Sequence, residues 1–455
     1  MVIMSTSGLR GVSPRDLSPL LVVKATRAYV RALDVRNVVV ARDTRPTSQL
    51  LAKAVIAALL YEGCRVKDLG ICPTPVAFFA VRRLGCDGGI VITGSHNSVE
   101  WNAVKFASPK GTFLDAESIS SVYRLITEVE FTDNEVQATG SYARADIMED
   151  YLTHVLSHVD VHLIAKRSFR VLLEPGCGTA STIAYEMLKR VGCKVIPLNS
   201  YPAVLSRDYE PSKRSLHYAE LTLQRLGLDI GMAYDADGDR LVLIDRKHGI
   251  LRPDYTLALV VEDYVEVHGR ATIVVNCATS RLLEHIAKEL KCDVVYAPVG
   301  EVNVLNEMER VGSPIGGEGS SAGVIVRDVN PTRDGLLASV MILEKLARDD
   351  ISLDEWVESK PLFYSFHDKI PLPKNNDLNL MVARVLESID ESFKVERIDG
   401  VKLCFEDGSW ILIRKSRTEP VLRVMGESKD LKRLYLLRSV VLEALGALHA
   451  HNPSA

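Results

Sequence analysis

The stretch Asn37-Val38-Val39-Val40 leads through a turn and an amphipathic helix to Gly63-Cys64-Arg65-Val66, and the chain uses this pattern three times. The other two copies run from Phe169-Arg170-Val171 to Gly192-Cys193-Lys194-Val195, and from Ala271-Thr272-Ile273 to Lys291-Cys292-Asp293-Val294. Strands that alternate with helices of this length predict crossover units, in parallel or mixed sheets covered on both faces. The distance between copies predicts three related α/β domains and not a short solenoid repeat.

The last quarter of the chain has a different pattern. Residues 360–376 contain three prolines and two adjacent asparagines, which is typical of a domain boundary. Beyond them we expect an α+β domain with helices at 377–389 and 431–448 and strands at 393–398, 401–405 and 410–413. Earlier breaks are expected at the polar residues 132–146 and at 249–253. We therefore predict four domains, at 1–145, 146–250, 251–362 and 363–455.

Composition narrows the class of protein. With 55 basic and 59 acidic residues, the net charge of −4 gives no broad attraction to nucleic acid or to anionic lipid. The eight cysteines form no C-x-x-C pair, which indicates buried thiols in a reducing compartment. The N-terminus lacks the pattern of a signal peptide, and the apolar stretches are too short to span a bilayer. We expect a cytoplasmic protein that acts on a small molecule, without nucleic-acid or membrane partners, and homo-oligomer formation is left open.

The first chemical motif is Thr93-Gly94-Ser95-His96-Asn97, directly after the strand-like Gly89-Ile90-Val91-Ile92. A serine at this place, with glycine before it and histidine after it, is a candidate nucleophile or phosphate carrier. It is not the nucleophile elbow of hydrolases, because Asn97 stands where that motif needs glycine. The alternative is a turn in which Ser95 only caps backbone groups.

The second motif is Asp235-Ala236-Asp237-Gly238-Asp239-Arg240, between two apolar strands. Carboxylates at alternate positions can point to one side, where they would repel one another unless a hard cation such as Mg²⁺ neutralises them. An EF-hand is excluded, because Arg240 stands where its loop needs glycine. The alternative is an acidic surface turn.

Two further motifs lie closer to the C-terminus. In the run Gly316-Gly317-Glu318-Gly319-Ser320-Ser321-Ala322-Gly323, Glu318 and Ser320 are candidates for binding sugar hydroxyls, although the run alone also fits a flexible turn. It is not a nucleotide P-loop, because no Gly-Lys-Ser/Thr closes it. The stretch Arg414-Lys415-Ser416-Arg417-Thr418-Glu419-Pro420, followed by Arg423, combines arginine forks with hydroxyls, as an anion cradle does. Its alternative is a solvated basic loop.

Taken in this order, the four motifs resemble those of the α-D-phosphohexomutase family. Residues 6–11 (Thr-Ser-Gly-Leu-Arg-Gly) and 42–46 (Arg-Asp-Thr-Arg-Pro) also resemble its N-terminal signatures, so the resemblance extends from residue 6 to about residue 425. It implies a four-domain α/β architecture, with three related mixed-sheet domains, a C-terminal α+β domain and an active site in the central cleft.

The resemblance also implies roles for individual residues. Ser95 would be the phosphoserine, and Asp235, Asp237 and Asp239 would hold Mg²⁺ together with an oxygen on Ser95. Glu318 and Ser320 would bind sugar hydroxyls, and the non-reacting phosphate would be held by Arg414, Ser416, Thr418 and Arg423. The residues expected to line the reaction centre are Arg10, His96, Lys105 and Arg240. The phosphoryl group would pass to a sugar phosphate, giving a bisphosphate that turns round and returns its other phosphate to Ser95.

The chain departs from the family pattern at three places. The family usually has alanine where Gly94 stands, a difference that we expect to be harmless. It has glycine or asparagine at the position of Arg417, and often Gly-His or Gly-Gly at Ser321-Ala322. The last two differences concern substrate contacts, and so they bear on specificity.

The sequence therefore predicts a phosphohexomutase that interconverts hexose 1-phosphates and 6-phosphates of mannose or glucose. A phosphoglucosamine mutase is the alternative of the same class. Outside the class, a Mg²⁺-dependent phosphatase with Asp235 as nucleophile is disfavoured, because Asp239 stands where that motif prefers threonine or valine. A non-catalytic sugar-phosphate binder is disfavoured by the intact serine, acidic triad and anion loop.

Overall fold

The first of four sheets contains the N-terminal signatures and the Ser95 motif. The computed structural model of the chain describes residues 2–128, 139–202, 206–372, 378–416 and 421–446. The elements of the first unit are β1 (Ile3–Ser5), β2 (Gly8–Val12), α1 (Pro19–Leu33), β3 (Asn37–Arg42), α2 (Ser48–Tyr61), β4 (Arg65–Ile71), α3 (Thr74–Arg83), β5 (Gly88–Ile92), β6 (Trp101–Ala107), α4 (Ala116–Glu128) and β7 (Ser141–Arg144). The strand order is β1-β2-β6-β5-β3-β4-β7. The expected break at 132–146 thus contains a strand, β7, whose four residues are all exposed at the edge of the sheet.

The second sheet has five strands in the order β12-β11-β10-β8-β9. Its unit consists of α5 (Met148–Leu156), α6 (Val161–Arg167), β8 (Arg170–Glu174), a 3₁₀ turn (Thr179–Thr182), α7 (Ala184–Arg190), β9 (Lys194–Pro197), α8 (His217–Leu226), β10 (Ile230–Tyr234), β11 (Leu241–Asp245) and β12 (Gly249–Ile250). The acidic triad lies in the turn between β10 and β11, which are both buried along their whole length.

The third sheet has four strands in the order β14-β13-β15-β16. Its unit consists of α9 (Asp254–His268), β13 (Ile273–Asn276), α10 (Leu282–Glu289), β14 (Val294–Ala297), α11 (Glu301–Val311), β15 (Ile315–Glu318), a 3₁₀ turn (Gly319–Ser321), β16 (Gly323–Val326), α12 (Gly335–Asp349) and α13 (Leu353–Glu358). The backbone amide of Gly335, at the start of α12, donates to the carbonyl of Gly238 at 3.2 Å. This helix therefore begins directly against the acidic turn of the second unit.

The fourth sheet is antiparallel throughout, with the strand order β17-β21-β20-β19-β18. Its unit consists of β17 (Tyr364–Pro371), α14 (Leu378–Ser388), β18 (Phe393–Glu396), β19 (Val401–Phe405), β20 (Trp410–Lys415), β21 (Val421–Ser428) and α15 (Leu431–Ala444). The segment 360–376, interpreted as a boundary, contains β17 in its middle part. This strand is at the edge of the sheet, where a proline at the last position removes no ladder hydrogen bond that the sheet needs.

The three sequence repeats are three copies of one topology. In the first three units the strand orders β6-β5-β3-β4, β11-β10-β8-β9 and β16-β15-β13-β14 are equivalent. In each copy the two strands of the repeat are adjacent and parallel, as the crossover pattern predicts. In each copy, too, a third strand (β5, β10 or β15) pairs parallel with the first strand of the repeat, and a fourth (β6, β11 or β16) pairs antiparallel with the third. The predicted class, three related mixed-sheet α/β units followed by an α+β unit, is confirmed.

This topology brings the four motifs to equivalent places. Each motif occupies the turn of an antiparallel strand pair: β5/β6, β10/β11, β15/β16 and β20/β21. One continuous apolar core, which includes Val39, Leu173 and Ile315, runs through the first three units. The fourth unit packs on the third through a smaller cluster in which Trp410 and Met425 meet Cys277. Within the described residues, no helix combines the length and hydropathy needed to cross a bilayer.

The repeats also share the way in which the crossover helix ends. The amide of each cysteine donates to the carbonyl five residues earlier, as at the C-termini of many helices: Cys64 to Leu59, Cys193 to Leu188 and Cys292 to Ala287. The residue before each cysteine has left-handed backbone, with φ of 80° at Gly63, 84° at Gly192 and 56° at Lys291. Lys291 thus adopts at a cost a conformation that glycine adopts freely.

We predict that Lys291→Gly stabilises the protein by about 0.5–1 kcal/mol, because glycine removes the strain of the left-handed backbone. Differential scanning calorimetry should show a higher melting temperature. The control is Gly192→Ala at the equivalent position, where the new Cβ would lie 2.7 Å from the Cα of Ala165, so that the melting temperature should fall. A lower melting temperature for Lys291→Gly would contradict this account of the helix end.

Candidate active site

Ser95 lies at the start of the turn after β5 and is buried, with 2% of its surface exposed. Its φ of 50° is unusual for a residue other than glycine, and such strain is typical of functional sites. The backbone amide donates to Thr93 Oγ1 at 2.9 Å, and the hydroxyl donates to Asp235 Oδ2 at 2.9 Å. The serine is therefore fixed by its own strand end and aimed at the acidic turn of the second unit.

Arg45 holds the serine turn in place through hydrogen bonds to its backbone. Its Nη2 donates to the carbonyls of Ser95 at 2.6 Å and of Asn97 at 2.5 Å, while Nη1 pairs with Asp43. The guanidinium also stacks on the ring of Tyr209, 4.2 Å from its centroid. Because Tyr209 belongs to the second unit, Arg45 connects the serine turn of the first unit to the second unit.

Gly94 is required by the same packing. A Cβ at this position would lie 2.7 Å from the carbonyl oxygen of Trp101 and 2.9 Å from the guanidinium of Arg45. Alanine would force the turn or Arg45 to move, so glycine suits the packing of this chain, and the expectation that the departure at Gly94 is harmless stays a prediction.

The three aspartates come together as predicted. One carboxylate oxygen of each lies within 4.8 Å of the others, and all three side chains are buried. Asp237 Oδ1 and Asp239 Oδ1 are buried and accept no hydrogen bond from the described residues. Buried carboxylate oxygens without donors are costly unless a cation lies among them. The donor set of hard oxygens, with the Ser95 hydroxyl next to it, therefore fits a divalent metal ion.

The electrostatics of the triad support this interpretation. Burial, followed by the charges of Asp239 and Asp237, raises the pKa of Asp235 well above its usual value. Burial alone would also raise the pKa of Asp237, but Lys105 and Thr74 lower it below the usual range. Lys105 Nζ donates to Asp237 Oδ2 at 2.6 Å, and Thr74 Oγ1 donates to the same oxygen at 2.5 Å. Two groups of the first unit thus hold the central carboxylate ionised.

Further cations surround the serine. Arg240 Nε lies 3.7 Å from Asp239 Oδ1 and 3.9 Å from Asp235 Oδ2, and Arg10 donates to Asn97 Oδ1. Burial lowers the pKa of Arg10 to about 10, which leaves its guanidinium charged at neutral pH. His96 is different: burial and the neighbouring charges of Arg240, Arg10, Arg333 and Arg423 lower the pKa of its imidazole well below the usual value. The histidine next to Ser95 is therefore neutral, and the charges of four arginines act on it.

The glycine-rich turn of the third unit presents a fixed carboxylate. Glu318 Oε1 accepts hydrogen bonds from Asn276 Nδ2 at 3.0 Å and from the amide of Gly300 at 2.7 Å. Its Oε2 accepts from Arg333 Nη1 at 3.0 Å. Ser320, two residues further along, is only partly buried. Glu318 is therefore held rigidly, while Ser320 is partly exposed.

The basic turn of the fourth unit is anchored to the third. Arg414 Nε donates to Asp399 Oδ2 at 2.9 Å, and the same oxygen accepts from the amide of Val299 at 3.2 Å. Arg414 and Arg423 are directly opposite each other on β20 and β21, and the amide of Ser416 closes the strand pair by donating to Val421. The charge of Arg423 is also among those that lower the pKa of His96, after burial and the charges of Arg240, Arg10 and Arg333. Thr418 and Arg417 lie outside the described residues.

The site contains residues that sequence reasoning missed: Thr74, Arg45 and Arg333. Arg45 was part of a quoted motif, but its contacts with the serine turn could not be inferred from the motif alone. Thr74 begins α3 and Arg333 precedes α12, and neither position has a recognisable pattern around it. Arg333 Nη2 donates to Asp239 Oδ2 at 2.5 Å, so this residue contacts both the acidic triad and Glu318.

Comparisons with known proteins agree with this geometry. Four family models match in order: phosphoglucomutase/phosphomannomutase alpha/beta/alpha domain I over residues 1–133, domain II over 149–249, domain III over 252–363 and the C-terminal domain over 374–444. A phosphoglucomutase/phosphomannomutase from Thermococcus kodakarensis is 33% identical over 436 residues, covering 94% of this chain and 95% of the relative. A phosphoglucosamine mutase from Methanococcus maripaludis is 31% identical over 436 residues, with the same coverage of both chains.

Solved structures of related proteins share the whole fold. A phosphoglucomutase/phosphomannomutase family protein from Burkholderia thailandensis superposes with a TM-score of 0.85 at 26% identity, over 100% of this chain and 98% of that one. The phosphoglucomutase parafusin from Paramecium superposes with a TM-score of 0.81 over 99% and 96% of the two chains, and at 18% identity it shows the fold alone. The resemblance seen in the sequence motifs is thus confirmed: the chain belongs to the phosphoglucomutase/phosphomannomutase family and is an enzyme of intramolecular phosphoryl transfer.

Proposed function

We propose that the enzyme carries a phosphoryl group on Ser95 and exchanges it with the 1- and 6-positions of glucose or mannose phosphates. The observation that supports this most strongly is the position of the Ser95 hydroxyl. It donates to Asp235, inside a buried triad in which two carboxylate oxygens accept no hydrogen bond from the part of the chain that the structure describes. A hydroxyl placed between a candidate cation site and several arginines is suited to carry a phosphoryl group.

The triad is the proposed site of Mg²⁺, with Asp235, Asp237, Asp239 and an oxygen on Ser95 as ligands. When bound, Mg²⁺ would neutralise charge on the transferring phosphoryl group. In the transfer, the bond between phosphorus and Ser95 Oγ breaks while a sugar hydroxyl oxygen bonds to phosphorus; the proton that this hydroxyl loses balances the one that Ser95 Oγ gains as it becomes a free hydroxyl again. Arg10, Lys105 and Arg240 supply positive charge beside the reacting centre, and His96 adjoins the serine in its neutral form.

The opposite side of the cleft would hold the rest of the substrate. Glu318 and Ser320 are proposed to bind sugar hydroxyls, and Arg414, Ser416, Thr418 and Arg423 the phosphate that is not reacting. A phosphohexomutase needs both sides, because its bisphosphate intermediate must turn round and present its second phosphate to the serine. The charge of Arg423, which comes from the fourth unit and contributes to lowering the pKa of His96, supports this two-sided binding.

Phosphoglucosamine mutase is the second candidate. The relative of that name is almost as similar to this chain as the phosphoglucomutase/phosphomannomutase is. A coupled assay with glucose, mannose and glucosamine phosphates separates the two. Phosphatase chemistry at Asp235 is disfavoured further, because this carboxylate accepts the hydrogen bond of the Ser95 hydroxyl.

Other features of the proposal come from the sequence. The four domains at 1–145, 146–250, 251–362 and 363–455 stay predictions, and so does a cytoplasmic location. The latter is supported by eight free thiols, of which six are buried. The partner is a small sugar phosphate, and nucleic acid and membranes are not among the partners that we propose.

We predict that the purified protein contains a fraction heavier by one phosphate, and that peptide mapping places this phosphate on Ser95. Ser95→Ala should lose both the phosphate and turnover while it folds normally, because the change removes the carrier without opening a core cavity. The control is Ser98→Ala in the same turn, where an exposed hydroxyl donates to Glu100. Phosphate on Asp235, or full turnover by Ser95→Ala, would contradict the proposal.

We predict that EDTA abolishes activity and that Mg²⁺ restores it, because the triad offers only hard oxygen ligands. Asp237→Asn should raise the Mg²⁺ concentration needed for half-maximal activity by at least about tenfold, since it removes one charged ligand. Asp208→Asn, at an exposed acid of the same unit, should leave the Mg²⁺ dependence unchanged. Undiminished activity in EDTA would show the triad to be structural.

We predict that Arg423→Ala lowers kcat/KM by about ten- to hundredfold, because a charge-assisted contact of this kind is worth about 1.5–3 kcal/mol. The loss should be similar for 1-phosphate and 6-phosphate substrates, since both phosphates use the basic turn in succession. The matched control is Arg433→Ala in the same unit, which breaks surface ion pairs with Glu391 and Asp407. Unchanged kcat/KM for Arg423→Ala with every hexose phosphate would refute the two-sided binding.

A further inference from the structure

Arg333 lies in the segment between β16 and α12 and is 8% exposed. Its guanidinium makes a separate hydrogen bond to each of three buried carboxylates: Nη2 to Asp239 at 2.5 Å, Nη1 to Glu318 at 3.0 Å and Nε to Glu301 at 3.0 Å. Asp239 belongs to the acidic turn of the second unit, whereas Glu318 belongs to the glycine-rich turn of the third. A single planar side chain thus fixes the distance between the two turns.

The backbone around Arg333 is fixed as well. Its own amide donates to Glu301 at 3.0 Å, and the next residue, Asp334, caps α12 and accepts a hydrogen bond from the hydroxyl of Tyr151, which lies 2.8 and 2.7 Å from its two carboxylate oxygens. Tyr151 comes from the second unit, so the segment is held on both sides of the junction. The arginine stem lies over Gly323, where a Cβ would collide with it. These contacts leave the Arg333 side chain few other conformations.

We infer that Arg333 is a positioning residue that couples the metal-binding turn to the sugar-binding turn. The inference rests on the proposed function of those two turns. Arg333 holds Asp239 by one oxygen, which leaves the other oxygen for the metal ion, and it orients Glu318 for the sugar hydroxyls. The phosphoryl-transfer end and the sugar-recognition end of the site then keep one geometry, which transfer between positioned groups requires.

This role has an unusual electrostatic consequence. The positive charge of the Arg333 guanidinium partly neutralises the three carboxylates, so it weakens their attraction for a metal ion. Removal of the Arg333 charge should therefore tighten metal binding. Removal of the guanidinium, which donates to both turns, should also free the Glu318 side chain to move and so weaken sugar binding. A residue that only stabilises the fold would weaken both when it is replaced.

Two variants separate charge from geometry. Arg333→Met keeps the aliphatic part of the side chain but removes the charge. Arg333→Lys keeps the charge but cannot reach Asp239 and Glu318 at the same time. Mg²⁺ affinity is measured by calorimetric titration of the metal-stripped protein without sugar, and substrate recognition by calorimetric binding of glucose 6-phosphate and by KM and kcat. We expect Arg333→Met to bind Mg²⁺ about tenfold more tightly and to lose at least about tenfold in kcat/KM, mainly through KM. Arg333→Lys should bind Mg²⁺ within about twofold of the unaltered protein yet retain the kcat/KM defect.

The matched control is Lys345→Met on α12. Lys345 is another buried cation among carboxylates, 2.6 Å from both Glu266 and Asp349, and its loss should lower stability without changing Mg²⁺ affinity or KM. Unchanged or weaker Mg²⁺ binding by Arg333→Met would overturn the inference, and so would full kcat/KM in Arg333→Lys. If Arg333→Met does not fold, the lysine variant alone decides. Failure of the proposed function would appear differently, as an unaltered protein that converts no hexose phosphate, and the Mg²⁺ titrations would still report on Arg333.

Discussion

Three carboxylates buried within 4.8 Å of one another impose the main constraint on this structure. Charges of one sign in such a place destabilise the fold unless other groups compensate them. The compensation comes from three units at once: Lys105 from the first, Arg240 from the second and Arg333 from the third. The junction of the units is therefore built around the acidic turn, where the Ser95 hydroxyl donates to Asp235.

The equivalent positions of the motifs follow from repetition of one topology. Each of the first three units places a parallel strand beside an antiparallel neighbour, and the turn between them carries the chemistry. The same turn supplies a serine in the first unit, carboxylates in the second and a glutamate in the third. The fourth unit has a different sheet but also uses the turn of a strand pair, which places Arg414 and Arg423 on adjacent strands. One site is thus assembled from four similar turns with different side chains.

The sequence was informative where function depends on local pattern. The repeats predicted the parallel strand pairs, and alternate aspartates after a buried strand predicted the triad. It was uninformative where contacts are remote, since Ser95 and Asp235 are 140 positions apart and Asp239 and Arg333 are 94 apart. The strand Tyr364–Pro371 was missed because its alternation is interrupted by charged residues and it ends in proline. The need for glycine at position 94 depends on Arg45 and Trp101, whose approach no local pattern reveals.

The central claim is that Ser95 passes its phosphoryl group directly to a sugar phosphate. A single-turnover experiment tests it: protein phosphorylated on Ser95 is mixed, in excess and with Mg²⁺, with glucose 6-phosphate or mannose 6-phosphate, and the products are followed by phosphorus NMR. The account predicts that phosphoserine disappears as a hexose bisphosphate forms in equal amount, since the group moves between two bound oxygens with water excluded. Release of inorganic phosphate without bisphosphate would contradict it and would indicate a hydrolase.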